Sequence, residues 1–312
     1  MGGGRGVSPG RRGPASNLMR ILILGCGYAG RATGARLVAA GHEVAGVQRG
    51  PDDGALAAAG IRPLAADVTR PDTLAALPHG WDAVVNCVSS AGGGAAAYQA
   101  LYLEGTRHVL DWLHGAPPRR YLHLGSTSVY GQTDGTWVDE DAPTEPATET
   151  ARVLVETEKL LAGAAARGFP AVRLRVAGIY GPGRGRLFQQ LLRGEARLDG
   201  DGARWLNQVH RDDVAGAIAA ALEHGRAGRL YNVADCEPVT QRDFLFWLAD
   251  TLGRSRPGPA APDEARPRRR GATNKRVSSR RLREELGWEP RFPTFREGYA
   301  EAIRAARAGG AV

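Results

Sequence analysis

The most constraining feature of this chain is a glycine-rich turn at residues 25–30, which joins an apolar segment to a helical one. Ile21-Leu-Ile-Leu24 precedes the turn Gly-Cys-Gly-Tyr-Ala-Gly, and a helical pattern follows as far as Gly41. In the pattern G-x-G-x-x-G the first glycine permits a tight turn, the second lets the backbone approach a pyrophosphate, and the third allows helix and strand to pack closely. The N–H groups of a helix that begins here point at the anion. The turn therefore predicts a dinucleotide site.

Strand and helix patterns alternate along the first half of the chain. Apolar segments predict strands at 43–47, 61–65, 81–88, 120–124 and 171–176, and helices are predicted at 98–113 and 151–165. This alternation is typical of an α/β fold with a doubly wound parallel (Rossmann) sheet. In the second half, Thr240–Asp243 and Thr294–Glu297 predict the capped starts of two helices, and 255–270 is predicted to be a linker.

The formal net charge of +8 is concentrated in two places. Nine basic and no acidic residues lie from Arg266 to Arg283, and three arginines stand at positions 5, 11 and 12; without these twelve, the charge of the remaining chain is −4. The basic segment contains no Phe, Tyr or Trp that could stack on bases, which argues against nucleic-acid binding. It is either a solvated loop or a local site for an anionic substrate group.

Several other classes of protein are excluded by simple patterns. No run approaches the ~20 apolar residues of a membrane helix, so no membrane association is expected. The three cysteines show no C-x-x-C pairing, and we expect reduced thiols in a cytoplasmic protein. The seven histidines have no H-E-x-x-H spacing, so no metal site is predicted. A phosphate-loop sequence is also absent, and no G-x-S-x-G sequence stands between a predicted strand and a predicted helix, as a serine-hydrolase elbow requires.

The end of the predicted second strand bears on the choice of dinucleotide. An acidic residue about 20 positions after the glycines would bind a ribose hydroxyl, but the chain has Gln48-Arg49-Gly50 here. Arg49 suits a 2′-phosphate, which favours NADP over NAD. The alternative is a solvated Arg49, with Asp52 or Asp53 turned back to the ribose.

Six segments follow one another in a distinctive order: 25–30 (GCGYAG), 66–68 (ADV), 125–131 (GSTSVYG), 173–184 (RLRVAGIYGPGR), 208–215 (QVHRDDVA) and 286–290 (LGWEP). In this order they resemble the extended short-chain dehydrogenase/reductase superfamily, in particular its NAD(P)-dependent epimerase/dehydratase group and the GCGYxG-type members. The resemblance covers residues 19–306 and implies that Asp67 contacts the adenine. The candidate cofactor-binding residues are then Gly25, Cys26, Gly27, Tyr28, Ala29, Gly30, Gln48, Arg49, Asp67, Val68, Asn86 and Val88.

The resemblance also implies a catalytic set, of which this chain keeps only part. The set is a Ser or Thr, a Tyr, and a Lys four residues after that Tyr. Ser126 stands at the hydroxyl position, with Thr127 as a neighbouring substitute. Alignment of the helix predicted at 151–165 puts Thr150 and Leu154 at the Tyr and Lys positions, and neither of the two lysines of the chain follows a tyrosine by four residues. The usual proton relay is therefore missing.

Reduction of a carbonyl still requires a donor for the developing alkoxide, so another group must supply it. Tyr130 and Tyr180 follow the fifth and sixth predicted strands and are candidates, with Arg152 placed to lower the pKa of a phenol. The alternative is that both tyrosines merely wall the pocket. His210 is the other titratable candidate, and its place in the family pattern favours a structural role.

These observations predict an NAD(P)-dependent oxidoreductase or epimerase that acts by hydride transfer on a carbonyl or carbinol, and the resemblance suggests a nucleotide sugar. The expected partner is a small, anionic substrate, and a homodimer is left open. The competing hypothesis is a non-catalytic NADP(H) sensor or assembly protein. The expected organisation is a disordered extension at 1–18, a dinucleotide-binding domain at 19–178 to which 205–234 returns, and a smaller, interleaved substrate-binding region at 179–306.

Overall fold

A computed structural model describes residues 18–50, 54–90, 92–260 and 273–308. The predicted extension at 1–18 lies outside the described residues except for Leu18, which is exposed. Asp52, Asp53 and most of the basic part of the predicted linker, Arg266–Arg270, also lie outside them.

Seven parallel strands form the central sheet. The strands of the described residues are β1 (Arg20–Leu24), β2 (Glu43–Gln48), β3 (Arg62–Ala65), β4 (Ala83–Asn86), β5 (Arg120–Ser126), β6 (Trp137–Val138), β7 (Ala171–Val176), β8 (Gly178–Tyr180), β9 (Trp205–Leu206), β10 (Gln208–His210), β11 (Leu230–Val233), β12 (Val239–Thr240) and β13 (Arg276–Val277). The sheet order is β11-β7-β5-β4-β1-β2-β3. The chain runs outwards from β1 to β3 and returns to β4 on the other side of β1, so a switch point lies between β1 and β4. The predicted doubly wound sheet is confirmed.

Helices cover both faces of this sheet. They are α1 (Tyr28–Ala39), α2 (Ala55–Ala58), α3 (Pro71–Ala75), α4 (Ala95–Tyr98), α5 (Gly105–Leu113), α6 (Glu149–Ala166), α7 (Arg186–Leu192), α8 (Arg211–His224), α9 (Gln241–Thr251), α10 (Arg280–Leu286) and α11 (Phe295–Ala308). Ile21 and Ile23 share a core cluster with α1 and α8, whereas Leu22 and Leu24 share one with α3 and α5. Because successive strand side chains point to opposite faces, the continuous apolar run of β1 fills both cores.

The helix predicted at 98–113 is interrupted. α4 ends at Tyr98, a π-helical segment spans Gln99–Glu104, and α5 begins at Gly105. The wider turns of a π-helix change which residues share a face. Here the Tyr102 hydroxyl accepts a hydrogen bond from the Ser90 N–H (3.2 Å) beyond the end of β4. Apolar periodicity in the sequence does not reveal this π-helical segment.

Both predicted capping boxes are confirmed. Thr240 Oγ1 accepts a hydrogen bond from the Asp243 N–H (3.1 Å) at the start of α9. At the start of α11 the Thr294 N–H donates to Glu297 Oε2 (2.9 Å), and the Arg296 N–H donates to Thr294 Oγ1 (3.2 Å). These bonds satisfy N–H groups that the first turn of a helix leaves without intrahelical partners.

A third core cluster lies in the C-terminal part of the chain. It includes Phe188 of α7, Phe244 of α9 and Tyr299 of α11, all within the range 179–306 expected to cover the substrate. β11, within the range 205–234, pairs with β7 in the central sheet. No helix in the described ranges is long and apolar enough to cross a membrane.

Candidate active site

The glycine turn at the end of β1 has the shape of a pyrophosphate cradle. Gly25 has φ +77°, and a Cβ built there would lie 2.6 Å from Val88 Cα. A Cβ on Gly30 would lie 2.8 Å from Gly25 O, whereas a Cβ on Gly27 meets no atom within 4 Å. The turn is thus closed at its first and third glycines and open at its second. Gly27 has no side chain that could cap the first turn of α1. The N–H groups of this turn can therefore face an anion, and the cradle fits a dinucleotide pyrophosphate.

Residues around the switch point hold the cradle in place. The Cys26 N–H donates to Val47 O (2.8 Å), and a Cβ built at Gly46 would lie 2.6 Å from Cys26 Sγ. The thiol side chain therefore packs against β2. On the other side, Asn86 is buried, donates to the Tyr121 hydroxyl (3.0 Å) and accepts from the Val88 N–H (3.3 Å). Cys26 and Asn86, two of the predicted cofactor-binding residues, are buried and support the glycine turn through these contacts.

The ends of β2 and β3 carry the residues predicted to meet the adenosine half. Arg49 is exposed immediately after β2, and Gln48 is half-buried. Asp67 Oδ1 accepts hydrogen bonds from the Thr69 N–H (2.9 Å) and hydroxyl (2.8 Å), which fixes this carboxylate beyond β3. Val68 is buried. Arg49 and Asp67 therefore follow two neighbouring strands at the same edge of the sheet.

Tyr28 connects the cradle to the C-terminal part of the chain. Its hydroxyl donates to Pro182 O (3.1 Å), and the guanidinium carbons of Arg184 and Arg211 lie 5.0 and 5.2 Å from its ring centroid. Ala29, next in α1, is half-buried. The glycine turn and the segment after β8 are thus held together.

Ser126 is the predicted hydroxyl that the structure leaves accessible. It ends β5, is half-buried, and accepts a hydrogen bond from the Ser128 N–H (3.2 Å). Thr127 is buried at 8% exposure. Of the two alternatives, Ser126 is therefore better placed to meet a ligand at the carboxyl edge of the sheet.

Tyr130 lies in a buried polar network. Its hydroxyl lies 2.8 Å from Asp139 O and from Asn232 Oδ1 and accepts a hydrogen bond from Arg175 Nη1 (2.8 Å). Arg175 also makes a bidentate pair with Glu158 (2.6 and 2.9 Å). Burial raises the pKa of Tyr130 to about 12. This saturated, enclosed phenol does not support the predicted role in proton transfer.

Tyr180 is also enclosed. Its ring stacks on Tyr299 (4.4 Å between centroids) and meets the edge of His210 (5.4 Å), and burial raises the pKa of Tyr180. Arg152 is exposed on α6, and the arginine over the Tyr130 ring is Arg175. The predicted relay of two strand-end phenols assisted by Arg152 is therefore not assembled.

His210 has the structural role that the family pattern favours. It is buried, and its Nδ1 accepts a hydrogen bond from the Asp212 N–H (3.2 Å) at the start of α8. Burial lowers the pKa of His210, so the neutral ring that caps the helix is favoured.

Thr150 and Leu154, which the resemblance aligns with the Tyr and Lys positions, have structural contacts. Thr150 Oγ1 lies 3.1 Å from Oγ1 of Thr148, which caps α6. Leu154 is 5% exposed and belongs to the main core cluster. An ammonium group at Leu154 would be buried among apolar side chains, so the structure has no room for a solvated lysine at this position of α6.

Three segments meet beyond the ends of β5 and β7, and we call them the cross-loop layer: residues 131–138, 204–208 and 273–278. The Asn274 N–H donates to Gln132 O (2.7 Å), and the Trp205 N–H donates to Asn274 Oδ1 (2.9 Å). The guanidinium of Arg276 lies over the rings of Trp137 (5.2 Å) and Trp205 (5.0 Å). The layer places part of the basic segment beside the ends of these strands.

Ion pairs neutralise several charges of the described basic segment. Arg281 pairs with Glu140 (3.6 Å) and with Asp141, and Arg280 pairs with Glu284 (3.8 Å). A uniformly cationic surface is therefore not formed by residues 273–283. Among the described residues, no group of three or more His, Cys, Asp or Glu side chains is arranged to hold a metal ion.

Comparison with known proteins agrees with this geometry. Residues 21–234 match the model of the NAD dependent epimerase/dehydratase family. Protein YeeZ from Escherichia coli K12 is 31% identical over 88% of this chain and 97% of its own length. The 3-diazoavenalumate denitrifying reductase of a Streptomyces species is 29% identical over 90% of this chain and 99% of its own length.

A solved structure from Methylobacillus flagellatus, described as a candidate NAD-dependent epimerase/dehydratase, is 37% identical. The two chains superpose with a TM-score of 0.74 over 93% of this chain and 100% of that one. The order β11-β7-β5-β4-β1-β2-β3, the glycine cradle and these matches agree. The chain therefore belongs to the NAD dependent epimerase/dehydratase family.

Proposed function

We propose that the protein is an NAD(P)-dependent oxidoreductase that transfers a hydride to or from the carbonyl or carbinol carbon of a small, anionic substrate. The observation that carries the proposal is the cradle, which is closed at Gly25 and Gly30 and open at Gly27. The related Streptomyces protein is named a reductase, which supports hydride transfer over epimerisation. A nucleotide sugar, suggested by the family resemblance, is the first substrate class to test.

In the proposed reaction the dinucleotide carries the hydride, and the residues of this chain bind the dinucleotide. When bound, the dinucleotide supplies or accepts the hydride. Gly27 and the first turn of α1 would hold its pyrophosphate, and Asp67, beyond β3, would contact its adenine. Arg49 is exposed where a 2′-phosphate would be recognised, and this supports a preference for NADP over NAD.

Ser126 is the group of this chain that we assign to the reacting oxygen. Its hydroxyl can donate a hydrogen bond to a substrate oxygen at the end of β5, because the side chain is half-exposed there. Since Tyr130 and Tyr180 are enclosed, they cannot exchange a proton with this oxygen without a rearrangement. Water at the open edge or another polar group of the substrate side must complete the proton transfer.

A second candidate function is a non-catalytic dinucleotide sensor. The observation that favours it is Leu154, which occupies the position of the family's lysine and is packed in the core. A sensor would bind the dinucleotide in the same cradle but would leave it chemically unchanged.

Two measurements separate the proposals. Fluorescence titration with NADPH and NADH tests the cradle, and absorbance of the reduced nicotinamide tests turnover against carbonyl compounds and nucleotide sugars. Binding with turnover supports the oxidoreductase, and binding without turnover across the panel supports the sensor. Failure to bind either dinucleotide would overturn both.

A further inference from the structure

Only two lysines occur in the chain, and the structure gives them opposite surroundings. Lys159 lies on the exposed face of α6 and pairs with Glu156 (2.9 Å). Lys275 lies in the cross-loop layer and is only 6% exposed. Lysine is almost never fully buried unless its charge is paired, so the burial of Lys275 requires an explanation.

The ammonium group of Lys275 faces a hydroxyl and another cation. Its Nζ donates to Thr273 Oγ1 (3.0 Å), and no carboxylate in the described ranges pairs with it. Burial, together with nearby Arg204, lowers the pKa of Lys275 to about 8. Arg204 itself pairs with Asp199 (3.6 Å). The charged form of Lys275 therefore lacks compensation from the protein groups described.

Comparison with the other buried cation shows that this is unusual for the molecule. Arg175 and Lys275 are the basic Arg and Lys side chains buried in the described residues. Arg175 is neutralised by a bidentate contact with Glu158. A buried charge without such a partner is strongly disfavoured, and perturbed, unpaired ionisable groups of this kind cluster at functional sites.

A strand register, the chain after β7 and two hydrogen bonds connect Ser126 to the backbone of Lys275. Ser126 is the register partner of Val176 at the ends of β5 and β7. Two residues after Val176, the Gly178 N–H donates to Asn207 O (3.0 Å). The Asn207 side chain in turn donates to Lys275 O (2.9 Å). The backbone of Lys275 is therefore anchored beside the strand ends that carry Ser126.

The cross-loop layer also holds Lys275 rigidly and leaves other polar groups unsatisfied. Asn207 Oδ1 accepts from the Val277 N–H (2.7 Å), so one side chain fixes the backbone on both sides of Arg276. In the same layer, Gln132 Oε1 and Gln208 Nε2 are buried and have no hydrogen-bond partner among the described residues. Unsatisfied buried polar atoms are rare in folded proteins, so these two atoms in one layer are consistent with a polar ligand there.

We propose that Lys275 binds an anionic oxygen of the substrate, a carboxylate or a phosphate, within the cross-loop layer. The proposal rests on the function proposed above, because it assigns the substrate side of the same site. An anion would neutralise the buried ammonium group and would be held by a charge-assisted hydrogen bond. The layer supplies the fixed geometry that such recognition needs.

The test uses the fact that the full chain contains two lysines. Protein labelled with nitrogen-15 at the lysine side chains gives two ammonium signals, and Lys159→Arg assigns them. Inorganic phosphate, pyrophosphate and succinate are then titrated, with chloride at matched ionic strength as the control. We expect a saturable shift of the Lys275 signal and a rise in the pKa of Lys275, since an anion stabilises the protonated form. The Lys159 signal should not respond specifically.

Variants supply a second, independent measurement. Lys275→Met should weaken binding of the responding anion at least about tenfold, as expected for the loss of one hydrogen bond to a charged group. Lys159→Met is the matched control and should bind as the wild type does. A Lys275 signal that no probe anion shifts saturably, or equal responses from both lysines, would show that Lys275 is a structural residue.

The outcomes distinguish this proposal from the proposed function. If Lys275 ignores all three probe anions while the protein binds dinucleotide and turns over a substrate, only the anion site is wrong. If Lys275 responds but no dinucleotide binds, the oxidoreductase is wrong and the anion site stands by itself.

Discussion

Replacing the three glycines of the cradle one at a time should separate dinucleotide binding from folding. A methyl group at Gly27 meets no atom within 4 Å, so Gly27→Ala should fold. Its effect on the N-terminus of α1 is limited to about 1 kcal/mol, because alanine is a poorer N-cap than glycine. The same methyl group would stand where the backbone must approach a pyrophosphate.

From the structure we expect a loss of dinucleotide affinity at Gly27 and losses of folding stability at Gly25 and Gly30. If Gly27→Ala removes one hydrogen bond to a charged group, about 1.5–3 kcal/mol is lost, and the dissociation constant rises about 10- to 150-fold. At Gly25 the positive φ costs about 1–2 kcal/mol, and the contact 2.6 Å from Val88 Cα adds about 1–3 kcal/mol of overpacking. A Cβ on Gly30 would lie 2.8 Å from Gly25 O, so Gly30→Ala should lose only the overpacking cost of about 1–3 kcal/mol.

Thermal unfolding and fluorescence titration with NADPH should be measured on each variant. Gly115→Ala is the matched control, because a Cβ built there also meets no atom within 4 Å and the residue lies in the turn after α5. We expect Gly25→Ala to lose the most stability, and Gly27→Ala to lose affinity while its melting temperature stays near that of the control. Wild-type affinity in Gly27→Ala, or a stability loss there as large as in Gly25→Ala, would refute the assignment of the cradle.

Three further predictions test other parts of the site and core. Arg49→Asp should reverse a preference for NADPH over NADH in fluorescence titrations; equal wild-type affinity for both would show that Arg49 does not recognise a phosphate. Ser126→Ala should lower turnover about 10²- to 10³-fold at unchanged dinucleotide affinity, and undiminished turnover would remove Ser126 from the mechanism. Burial, assisted by Arg173, lowers the pKa of His123 to about 4. The folded state therefore keeps its full stability above the unfolded pKa near 6.5, where the imidazole is neutral in both states. This stability is lost as the pH falls towards 4, because the unfolded chain binds the proton first. Urea denaturation should show about 3 kcal/mol of this loss; His123→Gln should flatten it, and an unchanged pH dependence would contradict the assignment.

Local patterns were sufficient to predict the fold and the shape of the glycine turn. The role of each glycine in the turn depends on backbone shape and on neighbours fixed by the strand-turn-helix unit. Contacts 2.6 Å from Val88 and 2.8 Å from Gly25 O, with open space at Gly27, agree with the predicted roles. The capping boxes at Thr240 and Thr294 likewise involve residues three apart.

The rest of the site depends on contacts between distant segments, which local patterns do not contain. Tyr130 is enclosed because Arg175 and Asn232, from two other strands, reach its hydroxyl. Tyr180 is enclosed by Tyr299 of the last helix. The π-helical segment at 99–104 is not visible in the apolar periodicity of the sequence. Sequence position could place both phenols at strand ends but could not indicate their burial.

The distribution of buried charge links the missing relay to Lys275. Leu154, which the family resemblance aligns with the lysine position, is an apolar residue in the core. The guanidinium of Arg175, beside Tyr130, is neutralised by Glu158, so that network is locked and structural. Because a compensated pair stabilises one arrangement while an uncompensated charge favours an anionic ligand, the group available for recognition is Lys275. In the described part of the basic segment, Arg280 and Arg281 are ion-paired and Lys275 is buried with no carboxylate partner, so Lys275 is the residue of this segment on which the proposed anion site depends.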